Sequence, residues 1–401
     1  MDTPSVAIVV QRYGPEIGGG AEEEARQVAT LLRDTLRVTV LTTCARDYRT
    51  WQDHYPPGET TIDGVRVLRF SVPEPRDPAA FDALSPRAYA DPANLELGER
   101  WMRAQGPVAP DLLDHLRTRG GEYDAVLFQT YLYATTVLGL PLVADRSILV
   151  PTLHDEPPAR LAIFDAVFDA ARVVVFNTPE EAEFAAERFG VGRDRSVVAG
   201  LGVDPAPSVS ATAFAAERGL TRPYVVCVGR LDPSKGTDLL VEAHRAYRDR
   251  HPDGADLVLV GRGELELPAY PWLTVTGFVD DLEKHRAIAG AAVVAVPSPY
   301  ESLSISQLDA WNHARPTLAN AASPVLVGQS RRAGGGLWFA DADEYATMLD
   351  FLVANPALAD AIGRQGRACV GRDYGWDTVG AIWRDGVNRV VEGPGSPPVS
   401  G

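Results

Sequence analysis

Short apolar runs alternate with helical periodicities along nearly the whole chain. In the first half the runs are "SVAIVV", "RVTVLTT", "VRVLRF", "AVLFQ", "SILVPTLH", "RVVVFN" and "SVVAG"; in the second they are "YVVCVG", "DLVLVG", "LTVTG" and "VVAVPS". Continuous β-branched runs of this kind predict strands covered on both faces, and hence parallel sheets. Between them Leu161, Phe164, Phe168 and Ala171 fall on one helical face. The segment "TPEEAEFAAERFG" predicts a helix capped by Thr178, with Pro179 in its first turn and Gly190 at its end. After Thr237 the pattern turns Leu239, Leu240, Ala243 and Tyr247 inward. The alternation predicts an α/β chain of two doubly wound, Rossmann-like domains.

The stretch "GLGVDPAPSVSA" (200–211) is rich in Gly, Pro and Ser and predicts the joint between them. This gives a first domain over 1–203 and a second over 204–375, with a helical pattern over 376–392. The tail "GPGSPPVSG" (393–401) is expected to be disordered, and the Pro- and Asp-rich stretch 73–110 reads as an excursion from the first domain. A length of 401 residues, 45% of them hydrophobic, fits two cores better than one.

The formal charge, 38 − 54 = −16, disfavours nucleic acid and anionic membrane surfaces as partners, so any phosphate site must be built locally. Cys44, Cys227 and Cys369 are odd in number and far apart, which predicts reduced thiols without disulfides or a cysteine metal site. The acid in "MDTPSVAIVV" is unlike a signal peptide, and no apolar run approaches the roughly 20 residues of a membrane span. A cytoplasmic chain without an integral membrane segment is the expectation.

In "PYESLSISQLDAW" the carboxylates Glu301 and Asp309 flank a Ser-rich helix start. Free N–H groups and the positive end of the helix dipole make such a start an anion site. Carboxylates accept from sugar hydroxyls. Eight residues of helix would rise roughly 12 Å, about the span from one sugar across a diphosphate to another. The ligand this predicts is a nucleotide sugar.

In "VGRLDPSKGTDLL" a strand ends at Gly229, and Arg230 and Lys235 precede a helix, where open α/β sheets bind phosphates. The spacing is not that of a Walker loop. Only Lys235 and Lys284 are lysine, the other 36 bases being arginine, so a lysine in this loop is informative. The bland alternative is a solvated loop with Arg230 paired to Asp232. "YGPEIGGGAEEEA" supplies Gly18, Gly19 and Gly20, which either admit a ligand close to the backbone or form a flexible turn. They lack dinucleotide-fingerprint spacing. "LVGRGE" (259–264), taken alone, is a structural strand end.

His154 in "PTLHDEPP" lies at a strand's carboxyl end, with Asp155 and Glu156 placed to hold its tautomer; structural and catalytic roles both remain open. The other histidines show no metal-ligand spacing, and Asp341 and Asp343 read as a helix cap. In "CARDYRTWQDHYPPG", Tyr48, Trp51, His54 and Tyr55 are expected to be exposed together and to contact an acceptor, unless Trp51 merely pins the loop.

Taken together, "GGGAE", "HDE", "GRLDPSKG", "VGRGE", "GFVDD" and "PYESLSISQLDA" resemble, in order and spacing, the family 4 glycosyltransferases of the GT-B fold. The likeness is weakest in 44–63, 73–110 and the tail. It implies two Rossmann-like domains facing a cleft and a retaining transfer from a nucleoside-diphosphate sugar, with no metal or other cofactor. The donor would sit in the second domain and an acceptor glycan or small molecule mainly against the first.

The resemblance makes Arg230 and Lys235 the groups that neutralise the diphosphate. Ser304 and Ile305 would bind phosphate through backbone N–H groups, Glu301 would contact the transferred sugar and Asp309 the ribose. His154 falls near the reacting sugar, and Gly19 and Gly20 in a loop closing on the diphosphate. Gly229, Gly261, Phe278 and Val279 complete the donor site, the last two as the wall beside the base. "WDTVGAIWRDGV" resembles the family's last helix, which crosses back to the first domain. Two positions depart from the family: Asp309 stands where it has glutamate, and Ala314 where it favours glycine. A nucleotide-sugar epimerase or hydrolase of the same fold is the alternative enzyme, and a non-catalytic nucleotide-sugar binding subunit the alternative from outside enzymes.

Overall fold

The computed structural model describes residues 3–392, so the tail 393–401 lies outside the described residues. The chain forms two compact units. Among the described residues, one comprises 3–201 together with 379–392, the other Gly202–Thr378. The joins fall at 201/202 and 378/379, close to but not at the positions 203/204 and 375/376 expected from composition.

The first unit is built on an eight-stranded sheet: β1 (Ser5–Val9), β2 (Arg37–Thr43), β3 (Gly58–Ile62), β4 (Val65–Phe70), β5 (Ala125–Gln129), β6 (Ser147–Val150), β7 (Val173–Phe176) and β8 (Ser196–Val198). Their order across the sheet is β3-β4-β2-β1-β5-β6-β7-β8. All pairings are parallel except the β3–β4 hairpin at the edge. Strand β3, "GETTI", is polar and exposed, so the search for apolar runs missed it. The central strands β1, β5, β6 and β7 are buried along their whole length, as doubly covered strands must be.

The stretch 73–110, expected as an excursion from the first domain, is largely helical. It contains helices Pro78–Ala90 and Leu95–Gln105, which bury Ala88, Trp101 and Met102 in one of the unit's two cores. Asp77 caps the first helix, with Pro78 as its first residue, and Asn94 caps the second. From Val379 onward the final helix Trp376–Val391 belongs to this unit, packing Val379, Trp383, Val387 and Val390 against the sheet. The Trp383 indole N–H donates to the Gly200 carbonyl at 3.1 Å.

The second unit has six strands: β9 (Tyr224–Val228), β10 (Asp256–Val260), β11 (Leu273–Gly277), β12 (Val293–Val296), β13 (Thr317–Asn320) and β14 (Gly336–Phe339). They are parallel throughout, in the order β11-β10-β9-β12-β13-β14. Strands β13 and β14 are only four residues each and escaped the sequence pattern. In helix Thr237–Arg250, Leu240, Ala243, His244 and Tyr247 are buried, while Leu239 faces solvent against expectation. The order reverses at β9, whose neighbours are β10 and β12. Loops leaving the carboxyl ends of β9 and β12 therefore border the switch point, where doubly wound sheets open a crevice for ligands.

Candidate active site

The loop after β9 carries Arg230 and Lys235. Asp232 shapes it by accepting from the backbone N–H of Lys235 at 3.0 Å and from the Ser234 hydroxyl, which closes a one-turn helix Pro233–Lys235. Gly236 follows with φ 68°, and a Cβ there would meet the Pro297 carbonyl oxygen at 2.3 Å, so only glycine lets this loop lie against the loop after β12. On its other side the loop hydrogen-bonds to 259–264: Gly229 N–H donates to the Val260 carbonyl and Leu231 N–H to the Arg262 carbonyl, both at 3.0 Å. A Cβ on Gly261 would lie 1.8 Å from the Gly229 carbonyl oxygen. Thus "VGRGE", structural when read alone, is the wall against which the phosphate-type loop is built.

The loop after β12 brings Glu301 to Lys235, with Nζ–Oε1 at 2.7 Å. Arg230 pairs with Asp232 at 3.3 Å and its side chain remains 59% exposed. The paired geometry of the bland alternative is thus present, on a guanidinium open to solvent. Helix Ile305–Asn312 begins only after Ser304, whose hydroxyl caps it by accepting from Gln307 N–H. Glu301 is therefore in the loop, and its eight-residue separation from Asp309 is not eight residues of helix.

A second correction concerns Ser304. Its backbone N–H donates to the Gln329 side-chain carbonyl at 3.0 Å and is not available to a phosphate in this conformation. The N–H groups of Ile305 and Ser306 have no hydrogen-bond acceptor among the described residues, so the anion site starts one residue later than expected. The Ser306 hydroxyl ties the helix to the Val228 carbonyl at the end of β9.

Asp309, on the second turn of this helix, pairs with Lys284 of helix Asp281–Gly290 at 3.2 Å. Sequence reasoning missed this contact although it had the signal: the scarcity of lysine that marked Lys235 applies equally to Lys284. Burial pulls the Lys284 ammonium down, but Asp309 and Asp281 outweigh it and its pKa stands above the ordinary value. Phe278 is 71% exposed with the Arg262 guanidinium over its ring, and Val279 packs against the unit's core. Ala314 adopts φ 53°, the left-handed conformation for which glycine is favoured.

In the first unit, Gly19 has φ 150° and Gly20 opens helix Gly20–Arg33. Behind this turn the buried Glu22 binds Arg12 and Gln11. His154 is partly exposed, with Nδ1 at 3.5 Å from Glu156 Oε1. Glu156 also accepts from the Tyr131 hydroxyl at 2.9 Å, and burial pushes its carboxyl up to about 7. Asp155 pairs with Arg160.

Tyr48 and His54 are exposed and Tyr55 is half-buried, but Trp51 is 1% exposed, against expectation. Its indole N–H donates to the Gln105 carbonyl at 2.6 Å and its ring meets Tyr133 edge-on. Trp51 pins the loop and presents no ring face to an acceptor. Asp341 accepts from the N–H groups of Asp343 and Glu344 as a helix cap. Among the described residues no cluster of three or more His, Cys, Asp or Glu could hold a metal ion, and no helix is long and apolar enough to cross a membrane.

Residues 222–355 match the family model described as "Glycosyl transferases group 1". A GDP-mannose-dependent alpha-(1-6)-phosphatidylinositol monomannoside mannosyltransferase of Mycobacterium tuberculosis is 30% identical over 252 residues, 57% of this chain and 64% of that protein. The first curated relatives it matches are aligned over 57–64% of their own lengths. Among solved structures, the sucrose-phosphate synthase of Thermosynechococcus elongatus superposes with a TM-score of 0.70 at 19% identity, covering 95% of this chain and 98% of that one. HepE of Anabaena in complex with UDP gives 0.69 at 18%, with the same coverage. At these identities the superpositions establish the fold, that of the GT-B glycosyltransferases.

Proposed function

We propose that this chain, whose residues 222–355 match the group 1 glycosyltransferases and whose fold is GT-B, is a retaining enzyme that moves a sugar from a nucleoside diphosphate to an acceptor hydroxyl without a metal ion. The observation that carries the proposal is the Lys235–Glu301 pair at the switch point of the second unit, beside unpaired N–H groups at a helix start. A nucleotide sugar answers both halves of that pair. Its diphosphate takes the ammonium, and its sugar hydroxyls donate to the carboxylate released. When the bond between the sugar's anomeric carbon and the diphosphate breaks, negative charge grows on the leaving oxygen. Lys235, Arg230 and the N–H groups of Ile305 and Ser306 are the donors for that charge.

Asp309 takes the ribose hydroxyls, and Arg262 and Phe278 offer an exposed stacking surface to the base. Acceptor recognition is assigned to the first unit, with Tyr48 and His54 as its exposed loop side chains, and His154 is assigned to the transferred sugar. The test is incubation with UDP-glucose and GDP-mannose and a panel of polyol, sugar-phosphate and glycoside acceptors, with the anomeric configuration of the product read by NMR. Transfer with retention is expected. Free sugar or an epimer formed without any acceptor would identify a hydrolase or epimerase instead.

A further inference from the structure

Both lysines of the chain are spent on the two carboxylates of "ESLSISQLD": Lys235 on Glu301 and Lys284 on Asp309. The second pair joins two helices. Lys284 Nζ lies 2.8 Å from Asp281 Oδ1 on its own helix and 3.2 Å from Asp309 Oδ2 on the next. If the pair served only to staple those helices it would be redundant. Beside it, His285 Nδ1 of the first helix and His313 Nε2, from the residue that closes the second, already meet at 2.9 Å, both residues buried. A partly exposed ion pair also adds little to stability.

The chemistry of the pair fits a ligand better. An arginine here would engage a carboxylate through both oxygens, whereas a point-like ammonium set on Oδ2 leaves the other oxygen to an incoming hydroxyl. Lys284 also keeps a proton to donate outward, and its side chain is 25% exposed.

We propose that Lys284 and Asp309 form one recognition unit for the ribose of the donor: the carboxylate accepts from one hydroxyl of the cis-diol, and the ammonium both holds the carboxylate and donates to the other ribose oxygen. The proposal rests on the nucleotide-sugar function above and adds to it a residue that sets ribose specificity.

The experiment is titration calorimetry with UDP, GDP and ADP, each against its 2′,3′-dideoxy counterpart, on the wild-type chain, Lys284→Met and Lys284→Gln. The wild type is expected to bind one ribonucleotide about tenfold more tightly than its dideoxy form, the loss of charge-assisted hydrogen bonds. In Lys284→Met the ribonucleotide weakens until the two forms bind within about twofold to threefold, while the dideoxy affinity stays that of the wild type. Lys284→Gln, which keeps one neutral donor, should fall between and covers the case in which the methionine variant does not fold. In steady state the Michaelis constant for the donor rises while kcat stays within about twofold. If the variants keep the full wild-type preference for ribose, or the wild type has none, Lys284 has no part in recognition and the nucleotide-sugar function stands. If the wild type binds none of the diphosphates, that function falls and this proposal falls with it.

Discussion

Three shielded carboxyls of the first unit are dressed unlike the acids at the switch point of the second. In the first, Glu24, Glu156 and Glu181 meet neutral donors: the Gln129 amide at 2.8 Å, the Tyr131 hydroxyl at 2.9 Å, and the N–H groups of Leu153 and Asn177 at 2.5 and 2.6 Å. Burial pushes Glu24 and Glu156 up to about 7 and Glu181 to about 8, the backbone donors opposing it at Glu181. In the second unit Glu301 and Asp309 meet ammonium groups, and two buried histidines are kept neutral. Burial pulls His244 down to about 3 and His313 to about 4. Carboxyls dressed by neutral donors serve the architecture. Carboxylates held by ammonium groups can exchange that partner for a ligand, and only the second unit has them at a sheet's switch point.

The largest effect that separates the units should come from Trp51. With its indole buried and bonded, Trp51→Ala should cost about 3–5 kcal/mol of stability, read by calorimetry, and leave donor affinity unchanged. A variant that melts like the wild type but binds acceptor weakly would return this residue to the acceptor surface.

Lys235→Ala should do the reverse. Turnover should fall about 10²–10³-fold, roughly 3–4 kcal/mol, with the melting temperature nearly unchanged because a half-exposed ion pair stabilises little. Lys235→Arg should not restore the rate, since a guanidinium fork directs its donors differently. Near-full turnover in the arginine variant would remove the lysine from the phosphate site.

Asp309→Ala should weaken donor binding by roughly 1.5–3 kcal/mol, as a charged acceptor is lost. Asp309→Glu sharpens this: against a helix tied to Val228 and a lysine already in place, the longer acid should also lose affinity. Wild-type affinity in Asp309→Glu would show that the shorter acid is incidental.

The smallest effect concerns pH. Glu24 has a folded value near 7, above the ordinary 4.5, so its stabilising protonated form is complete below about 4.5 and is lost as pH rises through 7. Glu24→Gln should therefore gain stability relative to the wild type between pH 5 and 8. His313 has the opposite sign. Lying below the ordinary 6.5, it supports the fold above that value and withdraws support as pH falls towards 4. A Glu24→Gln difference that did not change with pH would break the contrast between the units.

How legible these features were in the sequence follows from physics. All of the long buried strands announced themselves as continuous apolar runs. The exposed β3 did not, because a solvated strand carries no apolar excess, nor did β13, "TLAN", whose ends are polar, or β14, "GLWF", which opens on glycine. The residues of the donor loop were readable because they sit in one contiguous stretch with an unusual lysine. Their partners were not: Gln329 reaches Ser304 across 25 positions and Lys284 reaches Asp309 from another helix. Trp51 looked exposed because its loop is polar, yet its burial depends on Gln105, 54 residues away.

A nucleotide-sugar site in the second unit should show itself in thermal shift with a panel of nucleoside diphosphates. At about 1,000 times its dissociation constant a bound ligand stabilises by about 4 kcal/mol. One base should produce a shift of that order in the wild type, and the same diphosphate should produce a much smaller one in Lys235→Ala. Equal shifts in both proteins, or none with any diphosphate, would contradict the account.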